Sequence, residues 1–214
     1  MADAGALRVV SIIDLGIQNI LSVENAFRVI GARTRVVSDA NGVDTADFLV
    51  LPGVGSFGTA VEKLRSTYIY EAVRDHVLVR ERPVLGLCLG MQLLADSSEE
   101  HGYHEGLGLI PGKVVQLDEM PPEYRVPNIG WRRVSLTGQC RILPMEMNDR
   151  DFYHVHSYHM QCANPEHVAG VSRFGRSDIA SIIQSGNVFG TQFHPEKSQD
   201  AGLDLLHTIL TKLI

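Results

Sequence analysis

The chain has 214 residues, of which 44% are hydrophobic and 21% charged, a composition typical of a folded α/β protein and not of a disordered or fibrous one. Lys and Arg number 19 against 25 Asp and Glu, and the formal charge of −6 at pH 7 disfavours binding to nucleic acid or to an anionic membrane. The length favours one domain over residues 1–214, with about residues 1–6 as a flexible tail.

The cysteines, Cys88, Cys140 and Cys162, are odd in number, widely separated and not at a metal-binding spacing. This pattern predicts a reduced chain without disulfides or a structural metal, as in the cytoplasm. No apolar run approaches the roughly 20 residues of a membrane span. Residues 1–6 lack the basic start and apolar core of a secretory signal. We therefore expect a cytoplasmic protein.

The first half of the chain alternates short apolar runs with runs of helical period. The predicted strands are Leu7–Ile13, Thr34–Val37, Asp47–Leu51 and Val84–Leu87. Apolar residues at helical spacing predict helices over residues 17–30, with Gly31 at the C-cap, and over about residues 59–78. This order is typical of parallel strands joined by right-handed helical crossovers.

The second half reads as strands joined by turns, which favours antiparallel hairpins. The predicted strands are Lys113–Leu117, Trp131–Leu136, Phe152–Tyr158, Val168–Ser172, Ile179–Gln184 and Val188–Phe193. A final helix with apolar residues on one face, from Leu203 to Leu213, should pack back onto the sheet. We expect a three-layer α/β/α domain with a central, mostly parallel sheet and an antiparallel second half.

A G-x-C-x-G motif at residues 86–90 follows an apolar strand and precedes a run compatible with a helix. This is the cysteine version of the nucleophile elbow, a tight turn that holds a reactive side chain above the sheet. The free N–H groups of the helix start favour a thiolate. A buried structural cysteine is the alternative for Cys88, but the flanking glycines favour a nucleophile.

A thiol nucleophile needs a base, and His194 in an H-P-E sequence at residues 194–196 is the candidate. If the chain stays extended through Pro195, His194 and Glu196 project on the same face, so that Glu196 can orient the imidazole. His154 and His156 lie on a predicted strand whose polar side could line a pocket. The remaining histidines are expected at the surface or on helices.

A glycine-rich loop, G-x-G-x-x-G at residues 53–58, also follows a predicted strand and opens a helix. It nominally matches the dinucleotide-binding fingerprint. However, it follows the third strand, and the next strand ends at Cys88 without an acidic residue for a ribose. We favour a loop whose backbone N–H groups at Gly53, Val54 and Gly55 face a developing oxyanion.

The P-G-x-G loop, the G-x-C-x-G elbow and the late H-P-E together resemble the pattern of the class I (triad) glutamine amidotransferases. The resemblance extends from Asp14 to the final helix. Within that family, the sequence is similar to the glutaminase subunits of imidazole glycerol phosphate synthase. The segments that carry this similarity are residues 19–23, 52–57, 86–92, 106–112, 155–158 and 192–198.

This resemblance implies a glutaminase in which Cys88 attacks the side-chain amide of glutamine, His194 transfers protons and Glu196 orients His194. It implies that the oxyanion is held by the N–H of Leu89 together with the glycine loop, and that no metal or organic cofactor takes part. The backbone end of L-glutamine would contact the following residues: Gln92, His156, Ser157 and Tyr158.

The family also implies a partner, a (β/α)8-barrel synthase subunit that receives the ammonia as the other half of a heterodimer. Our candidates for the partner-facing surface are Asn128, Trp131 and Lys197; a solvated lysine and a core tryptophan are the structural alternatives. The sequence departs from the usual family pattern at Leu15, Gln18, Asn128 and Ile129.

Because these departures lie outside the triad, they bear on the partner surface and the pathway. A paralogue that supplies ammonia to an aminated-sugar pathway is therefore an alternative to histidine biosynthesis. A cysteine hydrolase of similar architecture and an inactive regulatory subunit are two further alternatives.

Overall fold

The computed structural model describes residues 9–16, 19–118 and 125–213. The helices, in chain order, are α1 (Ile20–Val29), α2 (Ala40–Asp44), α3 (Phe57–Ser66), α4 (Ile69–Leu78), α5 (Leu89–Leu93) and α6 (Gln199–Leu213). The strands are β1 (Val9–Ile13), β2 (Arg33–Val37), β3 (Phe48–Gly53), β4 (Val84–Cys88), β5 (Ser97–Ser98), β6 (His104–Glu105), β7 (Gly112–Gln116), β8 (Asn128–Leu136), β9 (Arg150–His156), β10 (Tyr158–Cys162), β11 (Val168–Phe174), β12 (Ser177–Ser185) and β13 (Val188–Thr191).

The main sheet has nine strands in the order β2-β1-β3-β4-β13-β12-β11-β8-β9. Neighbours from β2 to β13 are parallel, and neighbours from β13 to β9 are antiparallel. Strands β3 and β4 are buried along their whole length, as their near-continuous apolar sequences predict. The predicted parallel first half and antiparallel second half are confirmed.

Helices cover both faces of this sheet, and each face has its own hydrophobic core. On one face, Phe27 of α1 and Ile209 of α6 pack in the same core as Phe48 of β3. On the other face, Leu64 of α3 and Val73 of α4 share a core with Leu49. Burial of each such side chain stabilises the fold by about 1.5–3 kcal/mol. Because helices cover both faces of the sheet, the predicted three-layer arrangement is confirmed.

A second sheet, in the order β10-β7-β5-β6, was not predicted. The prediction of one strand over Phe152–Tyr158 is wrong, because β9 ends at His156 in the main sheet and β10 begins at Tyr158 in the small one. Tyr158 pairs with Gln116 of β7. The apolar pattern is continuous through the bend at Ser157, so it does not reveal the change of sheet.

The single helix predicted over about residues 59–78 is two helices. Helix α3 ends at Ser66, and α4 begins at Ile69 after Tyr68, which adopts a left-handed conformation with φ 58°. That conformation interrupts the helix, although the apolar period continues across it. The helix over residues 17–30 begins at Ile20 and is followed by Gly31 at φ 85°, as predicted.

Strand β13 joins the two halves of the main sheet and positions the site. It pairs with β12 in antiparallel and with β4 in parallel, where Thr191 lies opposite Leu87. Strands β3 and β4 also pair in parallel, and Gly53 lies opposite Cys88. Because the carboxyl ends of parallel strands meet at one edge of a sheet, the loops after β3, β4 and β13 converge there.

Some predictions fall outside the described residues: the tail over residues 1–6, the strand start at residues 7 and 8, and the helix start at residues 17 and 18. Among the helices that the structure describes, none combines the length and the apolar character that crossing a membrane requires.

Candidate active site

Cys88 lies at the sharp turn between β4 and α5. Its backbone adopts φ 53° and ψ −108°, which is unusual for a residue other than glycine and costs about 1–3 kcal/mol. A Cβ atom at Gly90 would lie 1.7 Å from the carbonyl oxygen of Leu51, and one at Gly86 would lie 2.6 Å from the carbonyl oxygen of Gly90. The two glycines of the motif are therefore required by close backbone approach.

His194 and Glu196 form a buried pair. His194 Nδ1 donates to Glu196 Oε1 over 2.8 Å, and the two side chains are 4% and 5% exposed. The backbone of His194 is held on both sides, because its N–H donates to the Tyr153 carbonyl and its carbonyl accepts from Ser198 Oγ. These hydrogen bonds fix the position of His194 relative to β9 and to the residues before α6.

The pairing of His194 with Glu196 was predicted from the sequence, but the backbone conformation assumed for it is wrong. The chain does not stay extended through Pro195, because Pro195–Lys197 forms a short 3-10 helix directly after His194. Proline suits the first position of such a turn, since its fixed φ is helical and its missing N–H has no partner there. The turn, and not strand alternation, brings the carboxylate of Glu196 back to the imidazole.

The pKa of His194 is raised to about 10. Burial lowers it, but interactions with Cys88 and Glu196 outweigh that effect. His194 Nε2 is buried without a hydrogen-bond partner in the described structure, and its ring lines the same pocket as Cys88. These interactions favour the protonated imidazole, whose Nε2–H can be donated to a reacting group.

Cys88 is 6% exposed, and two polar groups lie near its sulfur in addition to His194. Cys88 Sγ lies 3.9 Å from the carbonyl oxygen of Val155, to which it donates. Gln192 Nε2 donates to the same sulfur over 3.8 Å. Neither Val155 nor Gln192 was predicted as a neighbour of Cys88.

A pocket of about 290 Å³ opens above the elbow, at the small end of the range for ligand sites. It brings together most of the predicted site residues: Val54, Gly55, Cys88, Leu89, Gln92, His156, Ser157, Tyr158 and His194. It is also lined by residues that were not predicted: Glu100, Pro127 and Val155. Gly53 and Glu196 do not line the pocket themselves. The size and the mixed polarity suit an amino acid.

The glycine loop lies directly against the elbow. A Cβ atom at Gly53 would lie 2.7 Å from Leu89 Cβ, so a glycine is needed for this contact. After the loop, the first N–H of α3, at Phe57, donates to Glu100 Oε2 over 2.6 Å. Glu100 thus ties the end of the loop to the pocket wall. No local pattern could have predicted this contact, because the two residues are 43 positions apart.

Gln92 is buried, and its amide group is oriented by two acceptors. Gln92 Nε2 donates to the Tyr158 carbonyl over 2.8 Å and to Gln192 Oε1 over 3.1 Å. Both amide protons are therefore used within the protein. Gln92 can offer only its Oε1 to a ligand, as an acceptor for an ammonium group.

His156 is a neutral imidazole, because burial lowers its pKa to about 3. Its Nδ1 donates to the Tyr158 carbonyl over 2.9 Å, so its Nε2 accepts from Asn128 Nδ2 over 3.0 Å. Both ring nitrogens are engaged. His156 was predicted to contact the substrate. With both nitrogens engaged, such a contact would involve a ring carbon and not a ring nitrogen.

Asn128 was predicted on the partner-facing surface, and this is wrong. Its side chain is 1% exposed, donates to His156 and accepts from Arg132 Nε. Trp131, on the opposite face of β8, is 44% exposed and packs edge-on against Tyr153 with ring centroids 6.0 Å apart. The core alternative for this tryptophan is therefore also wrong. Lys197 is exposed beside the His–Glu pair.

Among the described residues, no group of three or more His, Cys, Asp or Glu side chains is arranged to hold a metal ion. The chemistry available at the pocket is that of a thiol, an imidazolium and a carboxylate, with backbone N–H groups beside them. These are the groups that nucleophilic acyl transfer requires.

The fold and site define an α/β protein with a cysteine elbow facing a buried His–Glu pair. The family model described as glutamine amidotransferase class-I matches residues 11–212. The chain therefore belongs to the class I glutamine amidotransferases.

More particular similarity is to subunits of one enzyme. The chain is 40% identical to imidazole glycerol phosphate synthase subunit HisH 2 of Nitrobacter winogradskyi, over 94% of this chain and 97% of that protein. It is 42% identical to subunit HisH of Methanothermobacter thermautotrophicus, over 94% and 97% respectively. Among solved structures, PurLQS from Thermotoga maritima superimposes with a TM-score of 0.73 at 16% identity, covering 98% of this chain and 100% of that one. That likeness concerns the fold alone.

Proposed function

We propose that this chain is the glutaminase subunit of an imidazole glycerol phosphate synthase. It hydrolyses L-glutamine to glutamate and ammonia and passes the ammonia to a synthase subunit for histidine biosynthesis. The observation that carries the proposal is the buried His194–Glu196 hydrogen bond at the pocket that contains Cys88. The names of the relatives at about 40% identity support the choice of pathway.

The first step is attack by the Cys88 thiolate on the side-chain amide carbon of glutamine. A sulfur–carbon bond forms, and the electron pair of the carbonyl moves to its oxygen. The N–H of Leu89 and the loop Gly53-Val54-Gly55 receive this oxyanion, as their position against the elbow supports. Preorganised N–H donors stabilise the charge because they need not reorient as it develops.

His194 then acts as general acid. Its Nε2–H protonates the amide nitrogen, and the carbon–nitrogen bond breaks as the carbonyl re-forms. Ammonia departs, and a γ-glutamyl thioester remains on Cys88. The neutral imidazole next accepts a proton from water as the water attacks the thioester. The sulfur–carbon bond breaks, glutamate leaves, and the thiolate–imidazolium pair is restored. Glu196 accepts the Nδ1–H throughout and keeps the ring in place.

The backbone end of glutamine is bound at the other end of the pocket. Gln92 Oε1 accepts from the α-ammonium group, since both Nε2 protons are already donated. Ser157 and Tyr158 lie at the bend between the two sheets and line the same wall. This arrangement directs the substrate's amide carbon toward Cys88.

Ammonia needs a protected route, because it is protonated in water near neutral pH and lost by diffusion. We infer that the receiving subunit is a (β/α)8-barrel that docks over the pocket mouth. Trp131 and Lys197 are exposed, and Trp131 lines a surface cleft with Ser198, the neighbour of Lys197 in the sequence; these two residues are our candidates for the interface.

The test is a glutaminase assay that follows glutamate and ammonia together, on the chain alone and with its synthase subunit and the synthase ligand. We expect slow hydrolysis by the isolated chain and acceleration by the partner, because the Gly53-Val54-Gly55 loop can turn its N–H groups toward or away from the oxyanion. Glutamine turnover by Cys88→Ala within tenfold of wild type would contradict the proposal.

A further inference from the structure

We propose that Gln192 is a further catalytic residue of this site, whose side-chain N–H donates a hydrogen bond to Cys88 Sγ and stabilises negative charge on the sulfur. This inference deepens the proposed function, since it takes Cys88 as the nucleophile. It assigns a role to a residue between β13 and His194 that the mechanism above does not use.

The position of Gln192 is determined by the main sheet. Its backbone N–H donates to the Ser181 carbonyl on β12 over 2.9 Å, which continues the ladder of β13 by one residue. Its side chain is fully buried, with 0% exposure. A buried amide must place its donors and acceptor on partners inside the protein. Here, the Nε2 group has Cys88 Sγ at 3.8 Å.

The orientation of the amide follows from its other partner. Gln92 Nε2 can only donate, and it donates to the oxygen Oε1 of Gln192 over 3.1 Å. The Nε2 group of Gln192 must therefore face the sulfur. Gln92 is itself held by the Tyr158 carbonyl over 2.8 Å. A flipped Gln192 would place its N–H groups against those of Gln92.

The network that holds Gln92 extends to β8. The Tyr158 carbonyl also accepts from His156 Nδ1, and His156 Nε2 accepts from Asn128. Asn128 Oδ1 accepts from Arg132 Nε, which can only donate. Each link therefore has one permitted direction, and the donor that faces Cys88 is preorganised.

The hydrogen bond from Gln192 to the sulfur becomes stronger when Cys88 ionises. When Cys88 is protonated, its thiol can donate to the Val155 carbonyl, 3.9 Å away. A thiolate cannot donate, and it repels that carbonyl oxygen. The Gln192 N–H then becomes a charge-assisted donor, which is about twice as strong as a neutral one. Gln192 keeps its proton throughout, so it stabilises the sulfur both before attack and when the thioester breaks.

The test is alkylation of Cys88 by iodoacetamide in the full chain, quantified on the Cys88 peptide so that Cys140 and Cys162 do not contribute. Gln192→Glu keeps an oxygen for Gln92 but presents an acceptor to the sulfur, and Gln192→Met removes both polar groups at similar volume. We expect both variants to react about tenfold more slowly at pH 7 and at the wild-type rate at pH 10, where a thiol is ionised regardless.

Gln184→Glu is the matched control. Gln184 lies on β12 and accepts from the backbone N–H of Arg141 through Oε1, which glutamate retains. It should react like wild type at both pH values. Wild-type reactivity of Gln192→Glu and Gln192→Met at pH 7 would overturn the proposal. So would an equal slowing at pH 7 and pH 10, since that indicates blocked access and not loss of a donor.

Steady-state kinetics with glutamine provide a second readout, in which kcat falls and KM is retained. Alkylation requires no substrate. If the wild-type chain did not hydrolyse glutamine, the proposed function would fail while the alkylation series still decided the role of Gln192.

Discussion

Glu196 accepts the Nδ1–H of His194 over 2.8 Å although only one residue separates the two, because Pro195 starts a 3-10 turn between them. The carboxylate therefore fixes both the orientation and the tautomer of the imidazole. Its second oxygen, Oε2, is buried without a hydrogen-bond partner in the described structure. In the described structure, the side chain of Glu196 bonds only to His194. We therefore regard Glu196 as a residue that positions the imidazole.

Replacing Glu196 by Gln should lower glutamine turnover less than Cys88→Ala does. Glutamine at this position retains an oxygen that can accept from Nδ1, but it removes the negative charge that raises the pKa of His194. The upper limb of the pH–rate profile should therefore move to lower pH. Steady-state assays from pH 6 to pH 10 measure both effects. A loss as complete as that of Cys88→Ala would mean that Glu196 has a chemical role.

Substitution of Gly90 by Ala should destabilise the fold severely. The new Cβ would lie 1.7 Å from the Leu51 carbonyl oxygen, and neither backbone can move without disrupting the pairing of β3 with β4. Overpacking of this kind costs about 1–3 kcal/mol or more. Urea denaturation measures the difference. Gly138→Ala is the control, because no atom lies within 4 Å of its added Cβ, and equal stabilities of the two variants would contradict the argument.

The variant Val54→Pro should lower kcat by about 10²–10³ with little change in KM, since it deletes one backbone N–H of the proposed oxyanion site. Val54→Ala retains that N–H and trims an exposed side chain, so it should remain near wild type. Comparison of kcat and KM for the two variants separates the backbone donor from the side chain. An unchanged rate in Val54→Pro would place the oxyanion donors elsewhere.

Stability should fall below about pH 6.5 partly through two buried histidines. Burial lowers the pKa of His154 to about 4 and that of His156 to about 3, from 6.5 in the unfolded chain. Between those values the unfolded state binds more protons, so the free energy of unfolding falls as the pH falls, by up to about 1.4 kcal/mol per pH unit for each group.

Chemical denaturation between pH 4 and pH 7 measures that slope. His156→Gln should flatten it, whatever its effect on stability at pH 7. His207→Gln, at an exposed position on α6, should leave the slope unchanged. If His156→Gln had the same slope as wild type, protonation of this buried ring would not contribute to acid destabilisation.

The elbow and the H-P-E segment could be predicted because their signals are local. A strand, two glycines and a cysteine within five positions describe the turn at Cys88, and His194 and Glu196 are neighbours in the sequence. The parallel first half of the sheet followed in the same way from the alternation of apolar strands and amphipathic helices.

The features that could not be predicted depend on contacts between distant segments. Whether the strand after His156 continues or changes sheet depends on β7, which lies some forty residues earlier in the chain. Glu100 reaches the loop before α3 only in the folded chain. The burial of Asn128 depends on His156 and Arg132. Gln192 left a weak signal, since it lies two positions before His194 at the end of a strand.

The central claim is that Cys88 releases ammonia which a synthase subunit consumes. The most direct measurement is synthase turnover in the reconstituted complex, with glutamine or an ammonium salt as the nitrogen source, for wild type and Cys88→Ala. We predict that the wild-type complex uses both sources and that the Cys88→Ala complex uses only the ammonium salt. Glutamine-dependent turnover by the Cys88→Ala complex within tenfold of wild type would contradict the claim.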